Sequence, residues 1–185
     1  MNDTEPQIRF KITVIGDGQV GKTSLIKKFT KGSFEQDYVK TIGAQFSIYD
    51  KQINGEMIRL IFWDIAGQDD FNFLRPYFYR DSLAAIIVVS LEENQLGKDS
   101  FNHISNWYEE VVQFCGNIPV LIFANKVDLV DIDNVEHSSL EEITEKYKFL
   151  GYYLTSAKTG FGVIDAFSRI IDDLYYKSKA KSLVL

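Results

Sequence analysis

Eight consecutive residues near the start of the chain combine three glycines with a lysine and a threonine: Gly16-Asp17-Gly18-Gln19-Val20-Gly21-Lys22-Thr23. This spacing fits G-x-x-x-x-G-K-[ST], a loop whose backbone N–H groups form a concave cradle for phosphate oxygens. Glycine permits the backbone conformations that turn successive amides inward, and a helix that begins behind the loop adds about half a unit of positive charge. We expect Lys22 to reach the β- and γ-phosphates of a nucleotide and Thr23 to offer its hydroxyl to Mg²⁺.

The same glycines satisfy a second nucleotide-binding pattern. Gly16-x-Gly18-x-x-Gly21 matches the G-x-G-x-x-G of dinucleotide-binding folds. That interpretation leaves Lys22 and Thr23 unexplained, and it needs an acidic residue at the end of a second strand in a βαβ unit. Here the next strand belongs to a predicted hairpin instead. A glycine turn without a ligand is a weaker third interpretation, so the phosphate loop is favoured.

Two later segments indicate which base accompanies the phosphates. Asn125-Lys126-Val127-Asp128 ends a buried apolar run, and Thr155-Ser156-Ala157-Lys158 ends the last predicted strand. A carboxylate such as Asp128 can accept both N1–H and N2–H₂ of guanine, a donor pair that adenine lacks. The Asn125 amide can stabilise the loop and contact the base, while the Lys126 stem can cover the ring. Three further groups would line this pocket: Ser156, the Ala157 N–H and Lys158. A helix-capping Asp128 in a surface loop is the weaker alternative.

These motifs need a scaffold that brings strand ends together. Apolar runs alternate with amphipathic stretches along the chain, which is typical of an α/β domain with a parallel sheet. Strands are predicted at 8–15, 44–53, 57–64, 84–91, 118–124 and 151–155. Asn54-Gly55 is a strong hairpin signal between the second and third strands. The prediction is therefore a six-stranded, mostly parallel sheet with one antiparallel edge strand.

Helices must cover both faces of this sheet, because the runs 84–91 and 118–124 are almost entirely apolar. Amphipathic spacing predicts about five helices, among them 22–30, 100–114, 139–147 and a closing helix from Val163. Ser139 and Glu142 stand at capping-box spacing at the start of one of them. We expect residues 177–185 to form a short, frayed tail.

Composition excludes several classes of protein. The net charge of -6 argues against a nucleic-acid or anionic-membrane binder, and no apolar run approaches the roughly 18 residues of a membrane span. Cys115 is the only cysteine, so no internal disulfide can form. With only His103 and His137 beside it, a four-ligand zinc site is also out of reach. We expect a soluble, monomeric, cytoplasmic protein.

Five motifs stand in the order found in Ras-superfamily small GTPases, which this chain resembles: Gly16–Thr23, Thr41–Gly43, Trp63–Gln68, Asn125–Asp128 and Ser156–Lys158. The resemblance covers residues 8–178 as a small-GTPase G domain of the P-loop NTPase fold, with 1–7 as an N-terminal extension and 179–185 as a tail. It is strongest to the Rab branch, on the segments 42–46, 61–64 and Tyr79-Arg80. It implies a GTP-hydrolysing molecular switch with a Rab-like role in vesicle trafficking.

The resemblance also implies residue roles. Thr41 would coordinate Mg²⁺ and sense the γ-phosphate, Asp64 would hold Mg²⁺ through water, and Gln68 would orient the attacking water. The catalytic set is Gln68, Lys22 and Thr41, and the metal set is Thr23, Thr41 and Asp64. The residues expected to bind GTP or GDP are Gly18, Gln19, Val20, Gly21, Lys22, Thr23, Ser24, Phe34, Tyr38, Thr41, Gly67, Asn125, Lys126, Asp128, Ser156, Ala157 and Lys158, with Gly67 on the γ-phosphate and Phe34 against the guanine.

Protein partners follow from the same resemblance. No arginine lies between Arg9 and Arg59, so the first switch loop cannot supply an arginine finger. We expect hydrolysis on the order of 10⁻⁴ to 10⁻² s⁻¹, the range of Ras and of G-protein α subunits, with a GTPase-activating protein to accelerate it. Exchange factors and effectors would bind the switch loops, near 32–42 and 65–79. Phe46, Trp63 and Phe78 would form the effector surface, with Trp63 more exposed than Phe46.

Two departures and two alternatives remain. Asp69-Asp70 replaces the family's usual Glu-Arg. The tail has no cysteine for a prenyl anchor, which leaves three interpretations: a soluble protein, membrane contact through partners, or a chain truncated before a lipidated tail. One alternative is a P-loop ATPase or small-molecule kinase, which 125–128 disfavours. The other is a constitutive GTP-binding module with negligible hydrolysis, which Gln68 and Thr41 disfavour.

Overall fold

The computed structural model describes residues 8–34, 43–67 and 73–182. Its six strands are β1 (Ile8–Ile15), β2 (Ala44–Ile53), β3 (Glu56–Ile65), β4 (Ala84–Ser90), β5 (Val120–Asn125) and β6 (Tyr152–Thr155). The helices of these residues are α1 (Lys22–Lys31), α2 (Arg75–Tyr79), α3 (Gln95–Asn102), α4 (Ile104–Cys115), α5 (His137–Tyr147) and α6 (Val163–Ser182). The strands form one sheet in the order β2-β3-β1-β4-β5-β6, parallel except for the β2–β3 pair. The predicted α/β class and sheet are confirmed.

The two central strands explain why helices cover both faces of the sheet. Every residue of β4 and β5 is buried. Alternate residues of β4 enter different cores: Ile86 and Val88 pack with α1 and α6, whereas Ile87 and Val89 pack with α4 and α5. In the first core the rings of Phe29 and Phe167 stack with centroids 4.3 Å apart. No helix in the described ranges is long and apolar enough to cross a membrane.

The edge hairpin forms for the reason that its sequence suggests. Asn54 and Gly55 both adopt positive φ, 50° and 84°, the combination that a two-residue turn between twisted antiparallel strands requires. The register then pairs Ile53 with Glu56 and continues to Ala44 and Ile65.

The helices differ from the sequence prediction in three places. The predicted helix 100–114 is two helices, because α3 begins at Gln95, where the Asn94 side chain caps it, and the chain turns at His103. The capping box is wrong, since α5 begins before Ser139 and that hydroxyl donates to Glu136 instead.

The prediction of a frayed tail is also wrong for residues 177–182, because α6 continues to Ser182, and residues 183–185 lie outside the described part of the chain. Two contacts hold this last part of the helix. Lys177 pairs with Asp173 one turn earlier, 2.8 Å apart, and Lys179 pairs with Glu56 at the start of β3.

Candidate nucleotide-binding site

The phosphate loop connects the end of β1 to the first residue of α1. Gly16 and Gly21 have φ of 132° and 102°, which L side chains rarely adopt. A Cβ on Gly16 would lie 2.2 Å from the Val88 carbonyl oxygen, so β4 packs directly on the loop backbone. The glycines are therefore required both for conformation and for close approach.

Lys22 already points into this loop. Its side chain is buried, and Nζ donates to the carbonyl oxygens of Gly16 at 2.7 Å and Asp17 at 2.6 Å. Burial lowers the pKa of the ammonium to about 8, and the carboxylates of Asp64 and Asp17 oppose that shift. The loop thus holds a desolvated ammonium group that donates to two neutral carbonyl oxygens. Charged phosphate oxygens would be stronger hydrogen-bond acceptors for it.

Thr23 and Asp64 bring hard oxygen donors to the same place. The Thr23 hydroxyl donates to Asp64 Oδ2, and Asp64 is only 3% exposed. In the described part of the chain no three His, Cys, Asp or Glu side chains form a metal-binding cluster. One hydroxyl and one carboxylate fit Mg²⁺, which binds through one or two protein groups together with substrate phosphates and water. Thr41, the third predicted ligand, lies outside the described residues.

Gly67 packs backbone to backbone on the phosphate loop. A Cβ there would lie 2.3 Å from Gly16 O and 2.5 Å from Gly18 N. The preceding Ala66 N–H donates to Gly43 O at 2.9 Å, so the start of the second predicted switch segment lies beside the residue that follows the first. Tyr38 and Gln68 fall outside the described residues, and their predicted roles remain predictions.

On the base side, Asn125 joins three segments. Its Nδ2 donates to Val20 O of the phosphate loop at 2.8 Å, and its Oδ1 accepts from Ala157 N at 3.2 Å. The residue is 1% exposed, and a Cβ on Gly21 would lie 2.3 Å from its amide nitrogen. One amide therefore fixes the distance between the phosphate loop and the last strand end.

The neighbouring side chains orient Asp128. Ser156 Oγ donates to Asp128 Oδ1 at 2.5 Å, and Lys158 Nζ lies 3.9 Å from Oδ2. Lys126 adopts a left-handed conformation, with φ of 68°, and its ammonium pairs with Glu92 after β4. The base-reading carboxylate and the covering lysine are thus positioned by contacts within the protein.

The aromatic residues predicted for an effector surface do form a row. Trp63 lies between the two phenylalanines: its ring stacks on Phe78, with centroids 5.8 Å apart, and is tilted against Phe46, with centroids 5.9 Å apart. The expected order of exposure is wrong, because Phe46 is 59% exposed while its partner Trp63 is partly buried. Lys11 Nζ lies over the Trp63 ring, 4.5 Å from its centroid, and this contact reduces the exposure of Trp63. Phe34, predicted against the base, is 39% exposed just beyond α1.

Sequence reasoning missed the groups that hold the phosphate loop from outside. The Asp17 carboxylate accepts from Trp107 Nε1–H and contacts His103 Nδ1, both at 2.8 Å. One signal was available: a tryptophan on a core helix face needs an acceptor for its N–H. Its partner, about 90 residues away in sequence, carried no matching signal.

Comparison with known proteins agrees with this geometry. The Ras family model matches residues 11–176. The GTP-binding protein Rho1 of Eremothecium gossypii is 34% identical, over 96% of this chain and 91% of that protein. Ras-related protein Rab-21 of Bos taurus is 35% identical, over 93% of this chain and 78% of that protein. Rab-21 of Homo sapiens is 34% identical, over 93% of this chain and 76% of that protein. Rho and Rab relatives are equally similar, so the comparison does not single out the Rab branch. The chain belongs to the Ras family and is a small GTPase.

Proposed function

We propose that this GTPase is a slow molecular switch whose surface differs between its GTP and GDP states. The observation that carries the proposal is the Asn125 bridge, which ties the phosphate loop at Val20 to the segment that orients Asp128. The Asp128 carboxylate, which would bind guanine, and the phosphate loop are held at a fixed separation. This arrangement suits a single guanine nucleotide that contacts both. Adenine lacks the donor pair for Asp128, so ATP should not compete for the site.

Each end of the nucleotide then has its own groups. The Lys22 ammonium would leave the Gly16 and Asp17 carbonyls for the β- and γ-phosphates, while the loop amides surround them. Thr23 and Asp64 would hold Mg²⁺, which neutralises charge at the bridging oxygen when bound. The Gly67 N–H, held against the loop backbone, would bind the γ-phosphate.

We assign Gln68 to orienting the attacking water and Thr41 to Mg²⁺ and the γ-phosphate. No arginine lies between Arg9 and Arg59, so the first switch segment has none to offer and a GTPase-activating protein would provide it. Single-turnover hydrolysis should be on the order of 10⁻⁴ to 10⁻² s⁻¹. The Gln68→Leu variant should be slower still and keep its GTP affinity. Equal rates in both proteins would favour a constitutive binding module instead.

The γ-phosphate would order the two switch segments together. Gly67 contacts the phosphate loop, and Ala66 at the start of the second segment donates to Gly43, the residue that follows the first segment. Effectors would read the row formed by Phe46, Trp63 and Phe78, which is exposed at Phe46. Proteins captured by the GTP-loaded form should be lost on GDP loading. Equal capture by both forms would contradict a switch.

For the finer role we propose Rab-type membrane trafficking, by a monomer that reaches vesicles from the cytoplasm through partners. The aromatic row, which resembles a Rab effector surface, supports it. Cell fractionation tests it: the Gln68→Leu form should sediment with vesicles and the Thr23→Asn form should stay in the supernatant. Identical distributions of the two variants would contradict a trafficking role and leave the GTPase assignment intact.

A further inference from the structure

We propose that Trp107 and His103 are positioning residues for the phosphate loop, and that Arg75 makes this support depend on the second switch segment. The inference rests on the proposed nucleotide switch and concerns its regulation. Its physical basis is one indole ring that contacts the loop with its edge and α2 with its face.

The first contact fixes Asp17 from both sides. Trp107 Nε1–H donates to Oδ1 and His103 Nδ1 contacts Oδ2, each at 2.8 Å. The Asp17 side chain is 17% exposed and that of His103 50%, whereas Trp107 is 6% exposed. The main chain of the same aspartate holds Lys22 Nζ through its carbonyl oxygen, 2.6 Å away. The start of α4 therefore sets the position of Asp17, a residue of the phosphate loop whose amides would surround the phosphates.

The second contact reaches α2. The guanidinium carbon of Arg75 lies 4.5 Å from the centroid of the Trp107 ring. Arg75 is 6% exposed, and its Nη1 donates to Glu110 Oε1 at 2.8 Å, while the Tyr79 hydroxyl donates to Glu110 Oε2 at 3.0 Å. Trp107 and Glu110 are three residues apart and share one face of α4. Both ends of α2 thus rest on that face.

A stacked arginine and an indole hydrogen bond on one ring couple two regions of the site. A displacement of α2 moves the Arg75 guanidinium over the Trp107 ring, and the N–H of that ring donates to Asp17. By reciprocity, loosening Asp17 also alters the position that α2 prefers. The acceptor that Trp107 finds for its N–H is thus a side chain of the phosphate loop, while its ring face packs against Arg75.

GDP dissociation tests the positioning role. Trp107→Phe keeps a buried ring and removes the N–H, and it should release fluorescent mant-GDP about ten-fold faster, because a hydrogen bond to a charged acceptor is lost. His103→Gln should give a smaller increase, of about three-fold. The matched controls are Tyr152→Phe and His137→Gln, which lose the Tyr152–His137 contact on another surface and should leave the rate unchanged.

A double-mutant comparison separates positioning from general destabilisation. Asp17→Ala, which removes the acceptor oxygens, combined with Trp107→Phe should release GDP no faster than the faster single variant, because both remove the same interaction. Multiplied effects would overturn the inference, as would a Trp107→Phe rate equal to that of the unaltered protein. Should Trp107→Phe fail to fold, the His103→Leu and Asp17→Ala pair gives the same comparison for the second contact. An unaltered protein that retains no mant-GDP would overturn the proposed function instead.

The ¹H–¹⁵N resonance of the Trp107 indole tests the link to α2. It is assigned as the indole signal missing in Trp107→Phe. It should move when GDP is exchanged for a non-hydrolysable GTP analogue, and the movement should shrink at least two-fold in Arg75→Gln or Glu110→Gln. A signal at the same position in both nucleotides, or an undiminished movement in both variants, would overturn the coupling.

Discussion

The two ends of the candidate site are held in different ways. At the base end, Asn125, Ser156 and Asp128 are fixed by hydrogen bonds within the protein, and a guanine would add contacts to groups already in place. At the phosphate end, Lys22 and Thr23 contact protein oxygens in the direction where phosphate and Mg²⁺ would bind. Binding there exchanges one set of partners for another.

This difference separates recognition from readout. A pre-formed base pocket would select guanine at little reorganisation cost, which is the general advantage of pre-organised groups. Exchange of partners at the phosphate end would let the protein respond to the number of phosphates, because the proposed contacts of Lys22 and Gly67 would depend on them. Substitutions at the two ends should therefore have distinguishable effects.

The largest effect is expected at the phosphate end, for Lys22→Met. Losing a buried ammonium should weaken GDP and GTP binding about 10³-fold, within the range for breaking a buried charge contact, while the preference for guanine is retained. Calorimetric titration with GDP, GTP and xanthosine diphosphate (XDP) measures the affinities and the preference for guanine. Lys146→Met, which removes an ammonium over the Tyr147 ring on α5, is the control and should bind normally. A changed base preference in Lys22→Met would break the comparison.

Asp128→Asn should produce the complementary result at the base end. The amide presents a donor where guanine also donates, so GDP affinity should fall about 10²-fold, as expected for hydrogen bonds to a charged group. XDP should bind better than GDP, with the same Mg²⁺ dependence as the unaltered protein. Asp131→Asn, in the following surface loop, should change neither. Retained guanine preference would mean that Asp128 does not read the base.

Asn125→Ala tests the connection between the ends. It leaves the Ala157 N–H and the Val20 carbonyl without their amide partner, so the free energy of unfolding should drop by about 2 to 3 kcal/mol even without nucleotide. Urea denaturation of the stripped protein measures this. Asn134→Ala, which removes an exposed contact to Asp131, should stay within about 0.5 kcal/mol of the unaltered protein. An equally small effect at Asn125 would mean the ends are not joined there.

The smallest effect is expected for Thr23→Asn. Without the hydroxyl ligand, GTP binding should weaken about ten-fold more than GDP binding, since Mg²⁺ matters more when the γ-phosphate is present. Chelating Mg²⁺ should then lower the GTP affinity of the variant only slightly and that of the unaltered protein strongly. Competition between mant-GDP and each nucleotide, with and without chelator, gives the ratio. Unchanged GTP affinity would remove Thr23 from the metal set.

Most of the fold is predictable because its signals are local. Strand β1 and the hairpin follow from apolar runs and from Asn54-Gly55, whose positive φ is a property of the residues themselves. The break at His103 is not predictable in this way, because apolar spacing continues across it and the turn depends on packing of α3 beside Ser90. The last part of α6 contacts Glu56, more than 100 residues earlier, and the local sequence does not indicate that tertiary contact.

In the candidate site, too, the residues in local motifs were predictable and those that depend on tertiary packing were not. The residues that would touch the nucleotide stand in short motifs, and the sheet brings four of those motifs to one edge. The residues that support them, such as Trp107, Arg75 and Glu92, are scattered over the chain and meet only through tertiary packing. Their side-chain types alone are compatible with ordinary core or surface positions.

The central claim is that one pocket binds guanine nucleotides through both of its ends. Isothermal titration of the folded, nucleotide-stripped protein with GDP, GTP and ATP in the presence of Mg²⁺ tests it most directly. We predict a single site for GDP and for GTP and no heat of binding with ATP. Absence of binding to both guanine nucleotides, or ATP binding as tight as GTP, would contradict the claim.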